Sequence, residues 1–270
     1  MQNAERRREN EETKDRFFFI LHSAFCILHS RDLAAGAGGG TAGEPPALQF
    51  APVLALALAT AITTVPLHQI TSVGRDFPKA IDAKQRYVFY LHGRIIEEHG
   101  LRPRDPRYGI YEYEDILRAL EAQGLRVISE ARPQDTDAEQ YAKRIRDQIA
   151  ALLERKVPPE HITVIGASKG SLIAMLASMV TANDTVRYVL MANCNDDVLQ
   201  QYKIDLHGAV LSIFDEGDAF GGTCSAFFAR ATGLSRQKEI VTHLRIGHAL
   251  LYQPRRAWMD PAIAWAKEKP

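Results

Sequence analysis

The chain has little cysteine, no net charge and no nucleotide-binding loop. Its three cysteines, Cys26, Cys194 and Cys224, are too few for a disulfide-built scaffold and lack the spacing of a zinc site. Lysine plus arginine equals aspartate plus glutamate, 33 each, which removes the electrostatic signature of a nucleic-acid binder or of a protein drawn to acidic lipid. There is no P-loop and no metal-binding histidine pair, so no metal and no other cofactor is expected. What is present is ordinary. Hydrophobic residues make up 46% and charged residues 24% of 270 positions, enough for one large or two small globular domains.

The first 75 residues differ from the rest. Residues 1–46 combine a charge run containing Arg6-Arg7-Arg8, a repeat of Ile20-Leu21-His22-Ser23 as Ile27-Leu28-His29-Ser30, and a Gly/Ala/Pro stretch. They read as a disordered or non-native extension. Residues 47–70 turn apolar, and Val53-Leu54-Ala55-Leu56-Ala57-Leu58-Ala59 suits the hydrophobic segment of a secretory signal. Export to the periplasm or the exterior is therefore the expectation, with a cytoplasmic protein as the alternative. Contact with a membrane is limited to an uncleaved form of this segment, a marginal span for its length. The folded domain is expected over 71–270, with a mature start near Thr71.

From Asp76 onward strand-like and helix-like segments alternate, the pattern of an α/β fold whose mainly parallel sheet is covered by helices on both faces. Strands are expected at 86–91, 125–130, 162–165, 186–191, 209–214 and 239–244. Helices are expected at 113–123, from a Thr136/Glu139 capping box to just before Pro158, from Lys169 through Val180, and at about 254–267. In such sheets ligands sit beyond the carboxyl ends of the strands, so those ends are where chemistry is sought.

Four of these ends carry reactive residues. His92-Gly93-Arg94 follows the first strand. Gly166-Ala167-Ser168-Lys169-Gly170 follows Ile162-Thr163-Val164-Ile165, and a G-x-S-x-G at a strand-to-helix corner can lift a serine hydroxyl off the sheet. Gly166 and Gly170 keep Cβ atoms out of a turn too tight to hold them. Asp215 and Asp218 follow the strand at 209–214, and His248 follows the last strand. A serine hydroxyl needs a base within hydrogen-bond reach, an imidazole supplies one, and a carboxylate fixes the imidazole tautomer.

With serine, acid and histidine in this order on one predicted edge, the chain from about Lys84 resembles the α/β-hydrolase superfamily, in particular its small lidless members. The resemblance implies an α/β-hydrolase fold and a catalytic triad of Ser168, Asp218 and His248. It implies an oxyanion hole of backbone N–H groups from Lys169 and Arg94, and a small acyl ester as substrate, with an amide or thioester less favoured. The loop Phe214-Asp215-Glu216-Gly217-Asp218 departs from the family's Gly-x-x-Asp spacing, so Asp215 stands as the alternative acid. Asp218 is preferred because it lies farther into the loop.

His243 is placed inside the last strand and His92 is given a structural role. Lys169 is read as a solvated surface lysine, with an anionic substrate favoured by Lys169 and Arg94 as the lesser alternative. Cys194 and Cys224 follow neighbouring strands, and either a disulfide or two buried thiols fits. Only about 17 residues separate the strands ending near Met191 and starting near Ala209, too few for a lid. Two rivals stay open. One is a non-catalytic hydrolase-fold binding module. The other is a dehydrogenase-like nucleotide turn at 165–170, disfavoured by its late position and by the lack of any Tyr-x-x-x-Lys.

Overall fold

The computed structural model describes residues 75–268, so the expectations for 1–46 and 47–70 lie outside the described residues. The elements run β1 (Tyr87–Leu91), α1 (Arg94–His99), β2 (Arg104–Asp105), β3 (Gly109–Ile110), α2 (Tyr113–Glu121), β4 (Arg126–Ile128) and α3 (Ala138–Glu154). There follow β5 (Ile162–Ala167), α4 (Lys169–Thr181), β6 (Arg187–Met191), α5 (Asp196–Gln201), β7 (His207–Asp215), α6 (Ser225–Arg230), β8 (Gly233–Thr242) and α7 (Arg256–Lys267). Six strands form one sheet in the order β4-β1-β5-β6-β7-β8, every pair parallel. β2 and β3 pair as a separate antiparallel hairpin.

The central strands β1, β5, β6 and β7 are mainly apolar and buried because both faces of the sheet are covered there. The two-residue period of a strand divides β1 cleanly. Tyr87, Phe89 and Leu91 point into a core with Ile145 and Ile149 of α3 and Ile173 and Met175 of α4. Val88 and Tyr90 point the other way, against Ile116 and Leu120 of α2 and Trp258 and Met259 of α7. Helical spacing of apolar residues thus recruits α3 and α4 to one face and α2 and α7 to the other.

Several boundaries differ from the sequence reading. The N-cap of α3 is Asp137, whose carboxylate accepts from the Gln140 N–H at 2.8 Å, while Thr136 donates its hydroxyl to the Pro133 carbonyl. An Asx cap one residue later outcompetes the threonine box. β8 begins six residues before 239, because pairing with β7 carries the polar run Ser235 to Lys238 into the sheet edge. His243 lies just past β8, exposed, with Nδ1 2.7 Å from Glu216 Oε2. The helix α1 and the β2–β3 hairpin have no counterpart in the sequence reading, both being too short for a periodic pattern.

Candidate active site

The corner between β5 and α4 is strained. Ser168 has φ 53° and ψ −120°, a left-handed backbone that a residue with a Cβ rarely adopts. Surroundings hold it there. Its N–H donates to the Met191 carbonyl at 3.0 Å, and its own carbonyl accepts from Ser171 N–H at 2.7 Å. A Cβ on Gly166 would strike the carbonyl of Gly170, and a Cβ on Gly170 would strike the carbonyl of Leu91. Both glycines are therefore demanded by close backbone approach between β5, α4 and β1. Ser168 thus stands on a tight strand-to-helix corner flanked by two glycines without room for a Cβ.

Opposite the elbow lies the turn after β1. Gly93 packs so near that a Cβ on it would sit 3.4 Å from Ser168 Cβ. Arg94 and Lys169 are the first residues of α1 and α4. The N–H of a first helical residue has no acceptor within its own helix. Two such orphan donors therefore start from segments that face each other across Gly93 and Ser168.

His92 holds this turn from inside. It is fully buried; its Nε2 accepts the Arg132 backbone N–H at 2.9 Å, which leaves Nδ1–H to donate to the Gly93 carbonyl at 2.8 Å. Burial first, and then the Arg132 guanidinium, push its pKa down to about 3, so the ring is neutral. Its placement is structural, in keeping with the role expected.

Asp218 and His248 meet. His248 lies in the short helical turn Gly247–Leu251 after β8, and its Nδ1 is 2.9 Å from Asp218 Oδ2. Asp218 is fixed by an Asx turn, Oδ1 accepting from Phe220 N–H at 2.8 Å and Gly221 N–H at 3.3 Å. An ionised carboxylate only accepts, so Nδ1 of His248 carries the proton and Nε2 presents its lone pair. Phe220 and Tyr108 flank the ring, with centroids 5.2 and 6.0 Å from it. Ser168 and His248 are brought to the same sheet edge, and no hydrogen bond joins them among the described residues.

The doubly covered parallel sheet, a strained serine corner at its centre, and an acid–histidine pair beyond β7 and β8 occur together on one edge. This is an α/β fold with a parallel sheet covered on both faces, the arrangement that the sequence resemblance implies. No protein-family model matches the sequence, and comparison with curated proteins finds no match. Among solved structures, SOBER1 of Arabidopsis thaliana is similar at 11% identity and a TM-score of 0.44, over 68% of this chain and 98% of that one. RedJ, a thioesterase of the prodiginine biosynthetic pathway in Streptomyces coelicolor, is similar at 12% identity and a TM-score of 0.42, over 70% of this chain and 89% of that one.

Asp215, the alternative acid, is 0% exposed, and among the described residues no hydrogen bond joins it to His248. Its carboxylate accepts from the Gly247 N–H at 2.8 Å, Thr242 Oγ1–H at 2.8 Å, Leu244 N–H at 3.0 Å and Gly217 N–H at 3.2 Å. Burial alone would raise its pKa. The four donors outweigh it and hold the carboxyl below its usual range. Asp215 thus ties the histidine loop to the end of β7, and Asp218 meets the imidazole.

Lys169 is neither solvated nor free to steer an anion. Its Nζ donates to Glu97 Oε2 at 2.5 Å, and the other oxygen of Glu97 accepts from Arg132 Nε at 2.8 Å. Sequence reasoning missed Glu97 and Arg132 because neither sits in a motif and they are 35 residues apart. A cleft of about 370 Å³ opens beside them, lined by Arg94, Glu98, Asp135, Asp137, Lys169 and Tyr202. The carboxylates of Glu98, Asp135 and Asp137 at its wall add negative charge and argue against an anionic preference from Arg94 alone. Cys194 and Cys224 form a disulfide with Cα atoms 5.1 Å apart, which decides between the two states left open by the sequence.

Proposed function

We propose that the chain is a serine hydrolase that cleaves a small acyl ester through an acyl-enzyme intermediate. Ser168 is the nucleophile, His248 the general base, Asp218 the carboxylate that orients it, and the backbone N–H groups of Lys169 and Arg94 the oxyanion donors. The observation that carries this reading is the 2.9 Å contact of Asp218 with His248 Nδ1, which turns Nε2 into a base on the edge where Ser168 stands.

The chemistry then runs in two halves. His248 Nε2 takes the Ser168 hydroxyl proton as Oγ attacks the acyl carbon, and Asp218 stabilises the imidazolium. The negative oxygen of the tetrahedral intermediate accepts from the two helix-start N–H groups, each of which contributes about 3 kcal/mol of transition-state stabilisation. His248 returns the proton to the leaving alcohol. Water repeats the sequence on the acyl-enzyme and releases the acid. Catalytic hydrogen bonds are commonly long before substrate arrives, and closure of the Ser168–His248 gap belongs to the substrate-bound state.

The segment between β6 and β7 holds the short α5 and no inserted lid, which supports an open site for a short acyl group. The disulfide supports an oxidising compartment, and with it the export expected from residues 47–70. A non-catalytic module is the second reading, favoured by the absence of a Ser168–His248 hydrogen bond. A fluorophosphonate probe tests the two. Labelling abolished by S168A, with hydrolysis of 4-nitrophenyl acetate or butyrate, supports the hydrolase; an unlabelled, folded wild type sinks it.

A further inference from the structure

Resting on that hydrolytic reading, we infer that Glu97 is a positioning residue for the oxyanion hole, acting through Lys169 and Arg132. The two proposed donors come from different parts of the chain, the turn after β1 and the elbow after β5. Among the described residues no backbone hydrogen bond joins α1 directly to α4. Glu97 does so by side chain. It lies one turn into α1, three residues after Arg94, and its carboxylate grips the Lys169 ammonium at 2.5 Å. Lys169 is itself the residue whose N–H forms the other half of the hole.

Arg132 completes the clamp from below. Its Nε donates to Glu97 at 2.8 Å, a terminal nitrogen donates to the His92 carbonyl, and its backbone N–H donates to His92 Nε2 at 2.9 Å. Side-chain exposure is 0% for Arg132, 1% for Glu97 and 13% for Lys169. In so dry a setting each charge is held by its partners, and losing one leaves the others uncompensated. The two cations share one bidentate carboxylate, so Glu97 fixes both the rotation of α1 and the direction of the Lys169 stem. Oxyanion stabilisation depends on donors set in advance, and a displacement of about 1 Å in a positioned group costs about a hundredfold.

A hydrolase that merely needed a stable core here would lose folding free energy and keep its rate. A positioning role moves different quantities. The test compares wild type, Glu97→Gln, Lys169→Met and Lys169→Arg on 4-nitrophenyl butyrate, with a trifluoromethyl ketone whose hemiketal oxygen occupies the hole. For Glu97→Gln the expected result is a loss of kcat of about tenfold to a hundredfold with KM within about twofold. The ketone should weaken in proportion to kcat/KM. Lys169→Met should follow with a smaller loss, and Lys169→Arg, which can still reach Glu97, should recover most of it.

Should Glu97→Gln fail to fold, Lys169→Met decides, since it leaves the Glu97–Arg132 pair intact. Folded variants that keep kcat and ketone affinity within about twofold of wild type overturn the inference. Fluorophosphonate labelling of wild type separates the two failures. Labelled wild type with unaffected variants removes only the role of Glu97; unlabelled wild type removes the hydrolytic reading and this inference with it.

Discussion

The two halves of the candidate site are held by different forces. On the nucleophile side, backbone packs against backbone: Gly166 against Gly170, Gly170 against Leu91, Gly93 against Ser168. On the base side, loops far apart in sequence are held by a carboxylate that accepts from four donors, and by a disulfide. Steric constraint leaves a mark in local sequence because it demands glycine at fixed offsets. A hydrogen-bonded carboxylate leaves almost none, because its partners are mostly backbone N–H groups that every residue possesses.

The sharpest way to break this comparison is to change the two aspartates separately. D218N should leave the fold intact and lower kcat on the order of 10⁴-fold, because an amide facing Nδ1 favours the wrong imidazole tautomer. D215N should do the reverse. It places an N–H₂ group among four donors, for a loss of about 3 kcal/mol in urea unfolding. Its residual activity should follow the folded fraction. A rate collapse in D215N with D218N active would exchange their roles.

This pair also marks how far the sequence could be read. The sheet, the covering helices and the elbow were legible because β-branched runs, helical stripes and the G-x-S-x-G carry their own periodicity or sterics. His248 was legible from chain order. The choice between Asp215 and Asp218 was not, since both lie within four residues of one loop, and they are told apart by remote partners: Thr242, Leu244 and Gly247 on Asp215, His248 on Asp218. Glu97 and Arg132 were invisible for a related reason: a buried ion pair between remote positions has no local pattern. The same holds for the Asp137 cap, where one of two adjacent cap formers had to win.

On the nucleophile side the largest stability effect belongs to G170A. The added methyl meets the Leu91 carbonyl, which is backbone and cannot swing aside. A loss above about 4 kcal/mol is expected in equilibrium unfolding, alongside S168A, which should remain folded. An equally stable G170A would mean that β1 and α4 can part without cost.

The counterpart on the base side is C194S. The disulfide closes a separation of 30 residues, worth about 3.6 kcal/mol by loop entropy. It also backs the acid loop, where Gly222 N–H donates to the Cys194 carbonyl at 2.9 Å and Asn195 donates to the Phe220 carbonyl at 2.9 Å. Reduction should therefore lower the unfolding midpoint and slow the proposed ester hydrolysis by the folded protein as Asp218 loosens against His248. Loss of stability with the rate of the folded form unchanged would show that the hydrogen bonds alone keep Asp218 in place.

The last effect concerns pH, is small near neutrality, and returns to the nucleophile side. His92 is neutral when folded, with a pKa of about 3, against about 6.5 in an unfolded chain. Between these values the unfolded state binds the extra proton, so acid favours unfolding. The group therefore adds nothing to the pH dependence above about 6.5 and costs about 1.4 kcal/mol per pH unit on descending toward 3. Asp215 adds a loss of the same sign only lower down, as pH falls through its depressed range. Urea midpoints at pH 7, 6, 5 and 4 should fall steadily in wild type. In H92Q, whose amide keeps a donor and an acceptor without titrating, the slope between pH 6 and 4 should flatten even if the variant starts less stable. An unchanged slope would mean that the acid sensitivity of this fold arises in the carboxylates of the other half.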